Sequence, residues 1–359
     1  MNQNRLLLIR NLQQSERLSA IIIFGLTNIR YLSGFTGTDG VLLFIGDETV
    51  FLTDSRYITQ AQTQVTADRI ICYKNKLQAI ADELVSFGDV RVGFDAEAVC
   101  VAVFDELRGL CGKQIHWLPL KEQLRPLRGK KDSRELACLR AAAQINHDAF
   151  QKILPLIRPG VSEKQLALEL EISLKRLGGE ANAFDFIVAS GKRGALPHGV
   201  ASDKFLTAGE LITIDFGTCV DGYYSDETVT LAVGEVSGKL RQIFDIVLEA
   251  HDLALAAIQP GLQMKELDAV ARGYIAKMGY GDYFGHGLGH GVGLEIHEYP
   301  TVSSRSADLL AEGMVITIEP GIYIPELGGV RIEDTVVVTA NGYQSLTSIA
   351  KHYSVLNAE

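Results

Sequence analysis

The chain has 359 residues, more than one ordinary hydrophobic core accommodates, so the sequence predicts two domains. Apolar residues make up 47% of the chain and charged residues 22%, a balance that excludes the disordered, collagen-like and small disulfide-rich classes. The formal net charge of -10 disfavours nucleic acid and anionic membranes as partners.

Strand-like and helix-like runs alternate over residues 18–117. Strands are predicted at residues 20–25, 41–46, 49–53 and 91–94, and helices at 54–64, 76–86 and 100–110. This alternation predicts a small α/β domain. Residues 118–131 are rich in proline and basic side chains, which favours a solvated interdomain linker over an anion-binding site.

Three helices are predicted after this segment, and the first two begin with capping boxes. The boxes pair Asp132 with Glu135 and Ser162 with Gln165. The predicted helices cover residues 132–154, 162–179 and about 239–258, and the second ends at a Gly-Gly pair.

The five cysteines are scattered and form no C-x-x-C pair, a pattern typical of reduced thiols. The N-terminal segment has only a short apolar run, too short for a signal sequence, and no stretch reaches the length of a membrane span. We therefore expect a cytoplasmic protein.

The second part of the sequence contains an internal repeat. Two pairs of segments align with each other: residues 157–179 with 258–280, and residues 208–217 with 312–321. The second alignment matches Asp215 with Glu319, each at the end of a strongly β-forming run. An acid that ends a strand before a turn is common, but its recurrence in both halves points to a function.

Each of these acids has an acidic companion downstream, Asp226 in the first half and Glu333 in the second. A tight turn midway between Asp215 and Asp226 would place them directly opposite each other on antiparallel strands. A turn centred on Glu326 would do the same for Glu319 and Glu333. The sequence therefore predicts two facing pairs of carboxylates.

Four partly buried carboxylates repel one another and take up protons unless a multivalent cation neutralises them. The pattern therefore predicts a metal site. The alternative is that each acid pairs with a nearby lysine or arginine. Arg331 is placed to do so for one acid, but not for all four.

Three histidines lie between the two pairs of acids, in a segment dense in glycine: His286, His290 and His297. The glycines at 285–293 exclude a stable helix, and the segment lacks the glutamate of the helical H-E-x-x-H zinc motif. We expect a close-packed backbone from which several imidazoles project into one cleft. His198 is a fourth candidate, with a weaker local signal.

These residues and their context resemble the metal signature of the aminopeptidase P, prolidase and methionine aminopeptidase group of "pita-bread" metallopeptidases. The matching residues are Asp215 in IDFG, Asp226 in YYSDET, His290 in HGLGHGVG, Glu319 in TIEPG and Glu333 in RIEDT. Residues 31–57 resemble the N-terminal domain that aminopeptidase P, prolidase and creatinase share. The resemblance implies an α/β creatinase/prolidase-type domain over residues 1–128 and an α+β pita-bread domain with an internal pseudo-twofold repeat over residues 129–359.

The resemblance also implies that these five residues hold two divalent metal ions. The oxygen-rich ligand set favours manganese or cobalt, with zinc as the alternative. A hydroxide shared by the two metals would attack the peptide carbonyl, while Glu319 orients it and shuttles its proton. Three further histidines match positions that contact the substrate or stabilise the tetrahedral intermediate: His198, His286 and His297.

The implied reaction is hydrolysis of the bond between an N-terminal residue and a following proline. The expected substrates are proline-containing peptides, and the expected enzyme is a homodimer. Some prolidases have an arginine directly after the H-E-x-P stretch that binds the carboxylate of a dipeptide. This chain has Thr301 there, and Arg305 is the nearest arginine. An Xaa-Pro aminopeptidase is therefore slightly favoured over an Xaa-Pro dipeptidase. The candidate substrate-binding residues are His198, His297, Arg305 and Arg331.

Two other classes of protein are compatible with the resemblance. One is a metal-free, creatinase-like hydrolase of C–N bonds, and the other is a non-catalytic peptide-binding protein derived from a peptidase. The presence of all five ligand residues counts against both. Metal analysis of the purified protein separates them from a metallopeptidase.

Overall fold

The structure is a computed structural model that describes residues 3–85 and 88–356. The chain divides into two compact units, Met1–Arg128 and Gly129–Glu359. Within the described ranges, no helix combines the length and the apolar character that a membrane span requires. The predicted order, an α/β unit followed by an α+β unit with two repeated halves, is confirmed.

The first unit is built on one mixed sheet with the strand order β4-β3-β2-β1-β5-β6. Strand β1 is antiparallel to β2 and parallel to β5, and its side chains are buried. The elements are α1 (Gln3–Ser15), β1 (Ala20–Ile23), α2 (Leu26–Ser33), β2 (Val41–Ile45), β3 (Glu48–Thr53), α3 (Ile58–Gln64), β4 (Arg69–Cys72), α4 (Lys76–Val85), β5 (Val90–Asp95), α5 (Val101–Cys111) and β6 (Ile115–Leu120).

The predicted strands and helices of this unit are all present, but the sequence missed four elements. The predicted end of α4 at residue 86 lies outside the described residues. Strands β4 and β6 are the two edges of the sheet and are only partly buried, so their sequences lack a strong hydrophobic pattern. Helices α1 and α2 were also missed. Gly25 begins α2 without a side-chain cap, so the usual start signal is absent.

The segment predicted as a solvated linker is more ordered than expected. Strand β6 continues to Leu120, and Arg125–Arg128 form a 3-10 turn. The prediction is wrong at Lys131, whose side chain is fully buried and whose Nζ donates to Glu298 Oε1 at 2.8 Å. Local sequence could not reveal this contact, because the carboxylate lies 167 residues further along the chain.

The second unit contains two larger sheets, with the strand orders β19-β11-β8-β7 and β13-β12-β14-β17-β18, and helices packed against them. Its elements are α6 (Ser133–Ile153), α7 (Glu163–Arg176), β7 (Ile187–Ser190), β8 (Glu210–Phe216), β9 (Cys219–Val220), β10 (Tyr223–Tyr224), β11 (Glu227–Val233), α8 (Gly238–Ala257), α9 (Met264–Lys277), β12 (Gly289–Gly291), β13 (Glu298–Val302), β14 (Val315–Ile318), β15 (Gly321–Ile324), β16 (Gly328–Arg331), β17 (Asp334–Thr339), β18 (Gly342–Ser345) and β19 (Val355–Leu356).

The internal repeat appears as two copies of one helix-and-hairpin plan. Helices α7 and α9 occupy equivalent places in the two aligned segments, and each begins with a capping box. The boxes predicted at Asp132 and Ser162 are both present. In each half an antiparallel pair follows, β8 with β11 and β14 with β17. These two hairpins carry the four acids selected from the sequence.

The register of the first hairpin differs from the prediction. Asp221 and Gly222 form its turn with φ angles of 47° and 76°, the two positive values that a type I′ turn requires. Asp215 is consequently paired with Thr228 and not with Asp226. The predicted direct opposition is wrong by two residues. A shift of two keeps both side chains on the same face of the sheet, because side chains alternate with a period of two.

The register of the second hairpin agrees with the prediction. Gly321 is paired with Arg331 and Ile324 with Gly328, so the turn is centred on Glu326. Strands β14 and β17 continue the same register beyond a break in the ladder. Glu319 lies in that break, directly after β14, where the following Pro320 has no N–H to donate.

Candidate active site

One cavity in the second unit, with a volume of about 530 Å³, brings together every residue that the sequence selected for a role in metal binding or catalysis. These residues line it: His198, Asp215, Asp226, His286, His290, His297, Arg305, Glu319, Arg331 and Glu333. Their roles remain predictions, but their juxtaposition is a property of the fold. It arises because the acids stand at strand ends and breaks where the two hairpins meet.

Ligand atoms of Asp226, His290 and Glu333 all lie within 4.8 Å of one another. His290 Nε2 is 3.5 Å from Asp226 Oδ2 and 3.3 Å from Glu319 Oε1. The other ring nitrogen, Nδ1, lies 3.1 Å from the carbonyl oxygen of Gly291. Since a carbonyl only accepts, Nδ1 carries the hydrogen, and in the neutral ring Nε2 is the free ligand atom directed at the carboxylates.

Asp215 is held from one side by a guanidinium. Its Oδ2 accepts a hydrogen bond of 2.6 Å from Arg331, while its Oδ1 is buried and has no hydrogen-bond partner among the described residues. Arg331 also donates to the Tyr323 hydroxyl at 2.9 Å and to the Pro197 carbonyl at 3.0 Å. The guanidinium is therefore committed to protein groups, and one acid oxygen remains available to a ligand.

The acids of the second half are oriented by threonines. Glu319 Oε1 accepts from the Thr317 hydroxyl at 3.1 Å, and Thr317 in turn accepts from the backbone N–H of His290 at 3.0 Å. Glu333 Oε2 accepts from the hydroxyl of Thr228, a residue of the first half, at 2.6 Å. Each carboxylate thus has a fixed orientation before any ligand binds.

The buried acids differ in their ionisation. Burial, together with repulsion from neighbouring carboxylates, raises the pKa of Asp226 and of Glu333 well above the usual range. Burial also raises the pKa of Asp215, although the Arg331 charge opposes the shift. Burial opposes ionisation of Glu319 as well, but without a cation the hydrogen bond and charge of the protonated His290 ring outweigh it and lower the pKa to about 2. The repulsion expected from the sequence is therefore present.

The remaining histidines line the same cavity without joining the acidic cluster. His286 Nδ1 donates to the carbonyl oxygen of Gly287 at 2.8 Å, so its Nε2 accepts from the Tyr323 hydroxyl at 2.9 Å. Burial lowers the pKa of both His286 and His297, which favours neutral rings. The His297 ring centroid lies 4.2 Å from that of His290. His198 is exposed at the cavity wall.

Tyr323 and Thr317 are site residues that sequence reasoning missed. Tyr323 links Arg331 to His286 through its hydroxyl, and Thr317 links His290 to Glu319. Thr317 precedes Glu319 by two residues on the same strand face, a spacing that could have identified it. Tyr323 has no comparable signal, because its partners come from other segments. Apolar residues also line the cavity: Phe184, Ile187, Pro197 and Val200.

The donor set fits divalent metal ions. Four carboxylates and one imidazole converge there, and the unpartnered Asp215 Oδ1 is a buried acceptor that a cation would satisfy. Oxygen-rich sets with a single imidazole suit manganese and similar hard or borderline cations, whereas no thiol lines the cavity among the described residues.

Comparisons with known proteins give consistent matches. The model of metallopeptidase family M24 matches residues 137–340, and that of the creatinase/prolidase N-terminal domain matches residues 5–129. A solved structure of an Xaa-Pro dipeptidase from Bacillus anthracis superposes with a TM-score of 0.95 at 40% sequence identity, covering 99% of each chain.

Two further relatives carry related names. An Xaa-Pro dipeptidase of Pyrococcus horikoshii is 38% identical over 330 residues, which cover 92% of this chain and 93% of its own. A solved structure of an X-Pro aminopeptidase from Thermotoga maritima has a TM-score of 0.87 at 35% identity and covers 96% of this chain and 98% of its own. The family and the fold class predicted from the sequence are both confirmed by these matches.

Proposed function

Because the chain belongs to metallopeptidase family M24, we propose that it is an exopeptidase that hydrolyses the bond between an N-terminal residue and a following proline. The observation that carries this proposal is the convergence of ligand atoms from Asp226, His290 and Glu333 on the wall of a cavity that is otherwise partly apolar. Relatives named Xaa-Pro dipeptidase and X-Pro aminopeptidase support the substrate class.

The proposed cofactor is a pair of divalent cations held by the acidic cluster and His290, with manganese or cobalt favoured and zinc as the alternative. The proposed ligands are Asp215, Asp226, His290, Glu319 and Glu333. When bound, the cations would lower the pKa of a water molecule so that it attacks the peptide carbonyl near neutral pH.

The remaining chemistry is assigned to side chains of the cavity. Glu319, whose carboxylate is oriented by the Thr317 hydroxyl, would accept the proton of the attacking water and return it to the leaving amine. His297 and His198 would donate hydrogen bonds to the carbonyl oxygen as negative charge develops on it. The His286 ring, held by its hydrogen bond with the Tyr323 hydroxyl, would form part of the cavity wall beside the substrate. Arg331 would act by holding Asp215, not by touching the substrate, since its guanidinium is buried among protein groups.

Selection for proline would rest on the apolar wall. Phe184, Ile187 and Val200 present a surface against which a pyrrolidine ring packs without leaving polar groups unsatisfied. A proline nitrogen in the scissile bond has no hydrogen, so the site needs no acceptor for one.

Of the two peptide lengths, we favour the dipeptide, in contrast to the preference drawn from Thr301. Arg305 lines the cavity, is exposed, and makes no ion pair or hydrogen bond within the described parts of the chain. A free guanidinium at that wall suits a substrate carboxylate. One observation supports the aminopeptidase alternative instead: the Arg305 side chain is exposed, and no neighbouring group holds it in position.

The test compares cleavage of Ala-Pro, Ala-Pro-Ala and Ala-Ala by the metal-free protein before and after manganese addition. We expect metal-dependent cleavage of the proline peptides and little of Ala-Ala. Arg305→Ala should raise KM for Ala-Pro and spare Ala-Pro-Ala, because only the dipeptide presents its carboxylate there. Cleavage that persists fully in chelator would favour a metal-free hydrolase, and absence of all turnover with metal bound would favour a peptide-binding protein.

A homodimer and a cytoplasmic location remain proposals. The first is tested by light scattering of the full chain during size-exclusion chromatography, where the molar mass measured for a dimer would be twice that of the monomer. The second is tested by fractionating the source cells with an antibody to the chain.

A further inference from the structure

A second buried group of charges lies directly behind the acidic cluster, on the opposite face of the same strands. Glu227 follows Asp226, and Asp334 follows Glu333. Successive side chains of a strand point to opposite faces, so Glu227 and Asp334 are directed away from the cavity. Both are buried, and neither lines the cavity. Neither has a role in the proposed reaction.

Lys351 joins these two acids. Its Nζ lies 2.6 Å from Glu227 Oε1 and 3.6 Å from Asp334 Oδ1, and only 8% of its side chain is exposed. Glu227 belongs to β11 of the first half, and Asp334 belongs to β17 of the second half. The ammonium is therefore a contact between the halves at the position where Asp226 and Glu333 approach each other on the other face.

The segment around Lys351 is attached to the same strands at several points. The backbone N–H of Ile349 donates to Glu227 Oε1 at 3.1 Å, and the Thr347 hydroxyl donates to Asp334 Oδ1 at 2.5 Å. Strand β19 then pairs with β11 in parallel. The segment from Thr347 to β19 thus holds Lys351 in place between the two halves.

Glu227 depends on the Lys351 ammonium more than Asp334 does. His251 Nε2 lies 3.3 Å from Asp334 Oδ2, so Asp334 has a second partner on α8. Glu227 has no other charged partner among the described residues, and its Oε2 is buried without a hydrogen bond there. Without Lys351, the carboxylate next to Asp226 would lose its counter-charge inside the protein, and β11 would lose its link to β17 through the ammonium.

We propose that Lys351 is a positioning residue for the metal centre, which holds β11 and β17 together so that Asp226 and Glu333 stand at ligand distance before a cation binds. The inference rests on the proposed function, since it assumes that these acids bind metal. It assigns to the C-terminal segment a part in metal affinity, although that segment contributes no residue to the cavity.

The test measures manganese binding to the full chain by titration calorimetry after removal of metal with chelator. Lys351→Met keeps the aliphatic length and removes the charge. We expect it to weaken the manganese Kd by about 10–100-fold, the range typical when a residue that orients a ligand is lost. Lys351→Arg keeps the charge and should recover most of the affinity.

The matched control is Lys204→Met, which removes another partly buried ammonium that pairs with a strand carboxylate, Glu210, at 2.7 Å and at the end of β8 opposite Asp215. It should lower the unfolding midpoint while leaving the manganese Kd as in the wild type. A wild-type Kd in Lys351→Met would overturn the inference, and so would equal weakening by both variants, because that result reflects a general loss of stability.

If Lys351→Met does not fold, the double variant Lys351→Met/Glu227→Gln removes both buried charges and serves in its place. The inference expects weakened manganese binding by the folded double variant, and wild-type affinity there would overturn it. A wild-type protein that binds no manganese contradicts the proposed function as well. If the wild-type protein binds manganese and turns over substrate, and the variants bind manganese with the same Kd, only the role of Lys351 is contradicted.

Discussion

In the first half of the second unit, Asp215 is neutralised by a guanidinium that comes from the other half, whereas Glu319 in the second half is hydrogen-bonded by a histidine of its own half. The two acids are equivalent in the repeat. Burial leaves the pKa of Asp215 raised even beside Arg331, while His290 lowers that of Glu319 to about 2. A repeated backbone plan therefore does not produce repeated chemistry, because each acid takes its ionisation from partners that the repeat does not duplicate.

The loops that carry histidines into the cavity show the same difference. Glu163 accepts hydrogen bonds from Ser190, Ser202 and Arg193, and so closes the loop that carries His198. In the other half the anchor is an ion pair within helix α9, between Asp268 and Arg272. Arg272 donates to the carbonyl oxygens of residues 284 and 286, and Asp268 accepts from the N–H of residue 288. Different kinds of side-chain contact therefore fix the two loops.

The largest effect is expected from changing one proposed ligand in each half. Asp226→Asn and Glu333→Gln should each lose metal and turnover together, by more than the roughly 10–100-fold seen when only a ligand's support is altered. Metal content by mass spectrometry and Ala-Pro cleavage are the measurements. If one half can be altered with full metal occupancy, the two halves do not share the centre, and the ligand assignment fails.

Glu319→Gln should separate chemistry from metal binding. The amide keeps the hydrogen-bonding shape but cannot accept a proton, so kcat should fall by about 10²–10⁴-fold, as for loss of a general acid–base group. Metal content should fall less than in Asp226→Asn. A kcat within a few-fold of the wild type would remove Glu319 from proton transfer.

Arg331→Met tests the guanidinium that is shared between the halves. It leaves Asp215 buried without a counter-charge, so the metal-free protein should lose about 3–5 kcal/mol of unfolding free energy. His290→Ala removes the partner of Glu319 and should cost about 1–3 kcal/mol, with a larger loss of metal affinity. Urea unfolding of the metal-free variants compares the two costs. The opposite order would show that Arg331 is not the main counter-charge of Asp215.

The smallest effects are expected from the loop anchors. Glu163→Gln should lower kcat/KM by roughly tenfold, since a displacement of about 1 Å in a positioned group can cost up to about 100-fold. Metal content should not change. If Glu163 acts through His198, the loss should largely disappear when His198 is already alanine, as a double-mutant cycle measures. Asp268→Asn with His286→Ala gives the matching cycle in the other half, and additive losses in both would exclude a positioning role.

Much of the fold follows from interactions between residues close in sequence. The capping boxes at Asp132 and Ser162 set the starts of α6 and α7, because each uses donors and acceptors only three residues apart. The buried strands β1 and β2 are recognisable from the sequence because each is an unbroken apolar run. The Asp221-Gly222 turn also had a local signal, the Asp-Gly pair preferred in type I′ turns, and reading it would have given the correct register.

The sequence by itself selected the acids and histidines that the fold brings to one cavity, because they stand in short motifs whose order and local context need no partner to be recognised. The tertiary structure alone decided how each is charged and held. Asp215 meets Arg331 across 116 residues, Lys131 meets Glu298 across 167, and Lys351 meets Glu227 across 124. A buried charge takes its energy from whichever counter-charge the fold places within a few ångströms, and sequence separation carries no information about that distance.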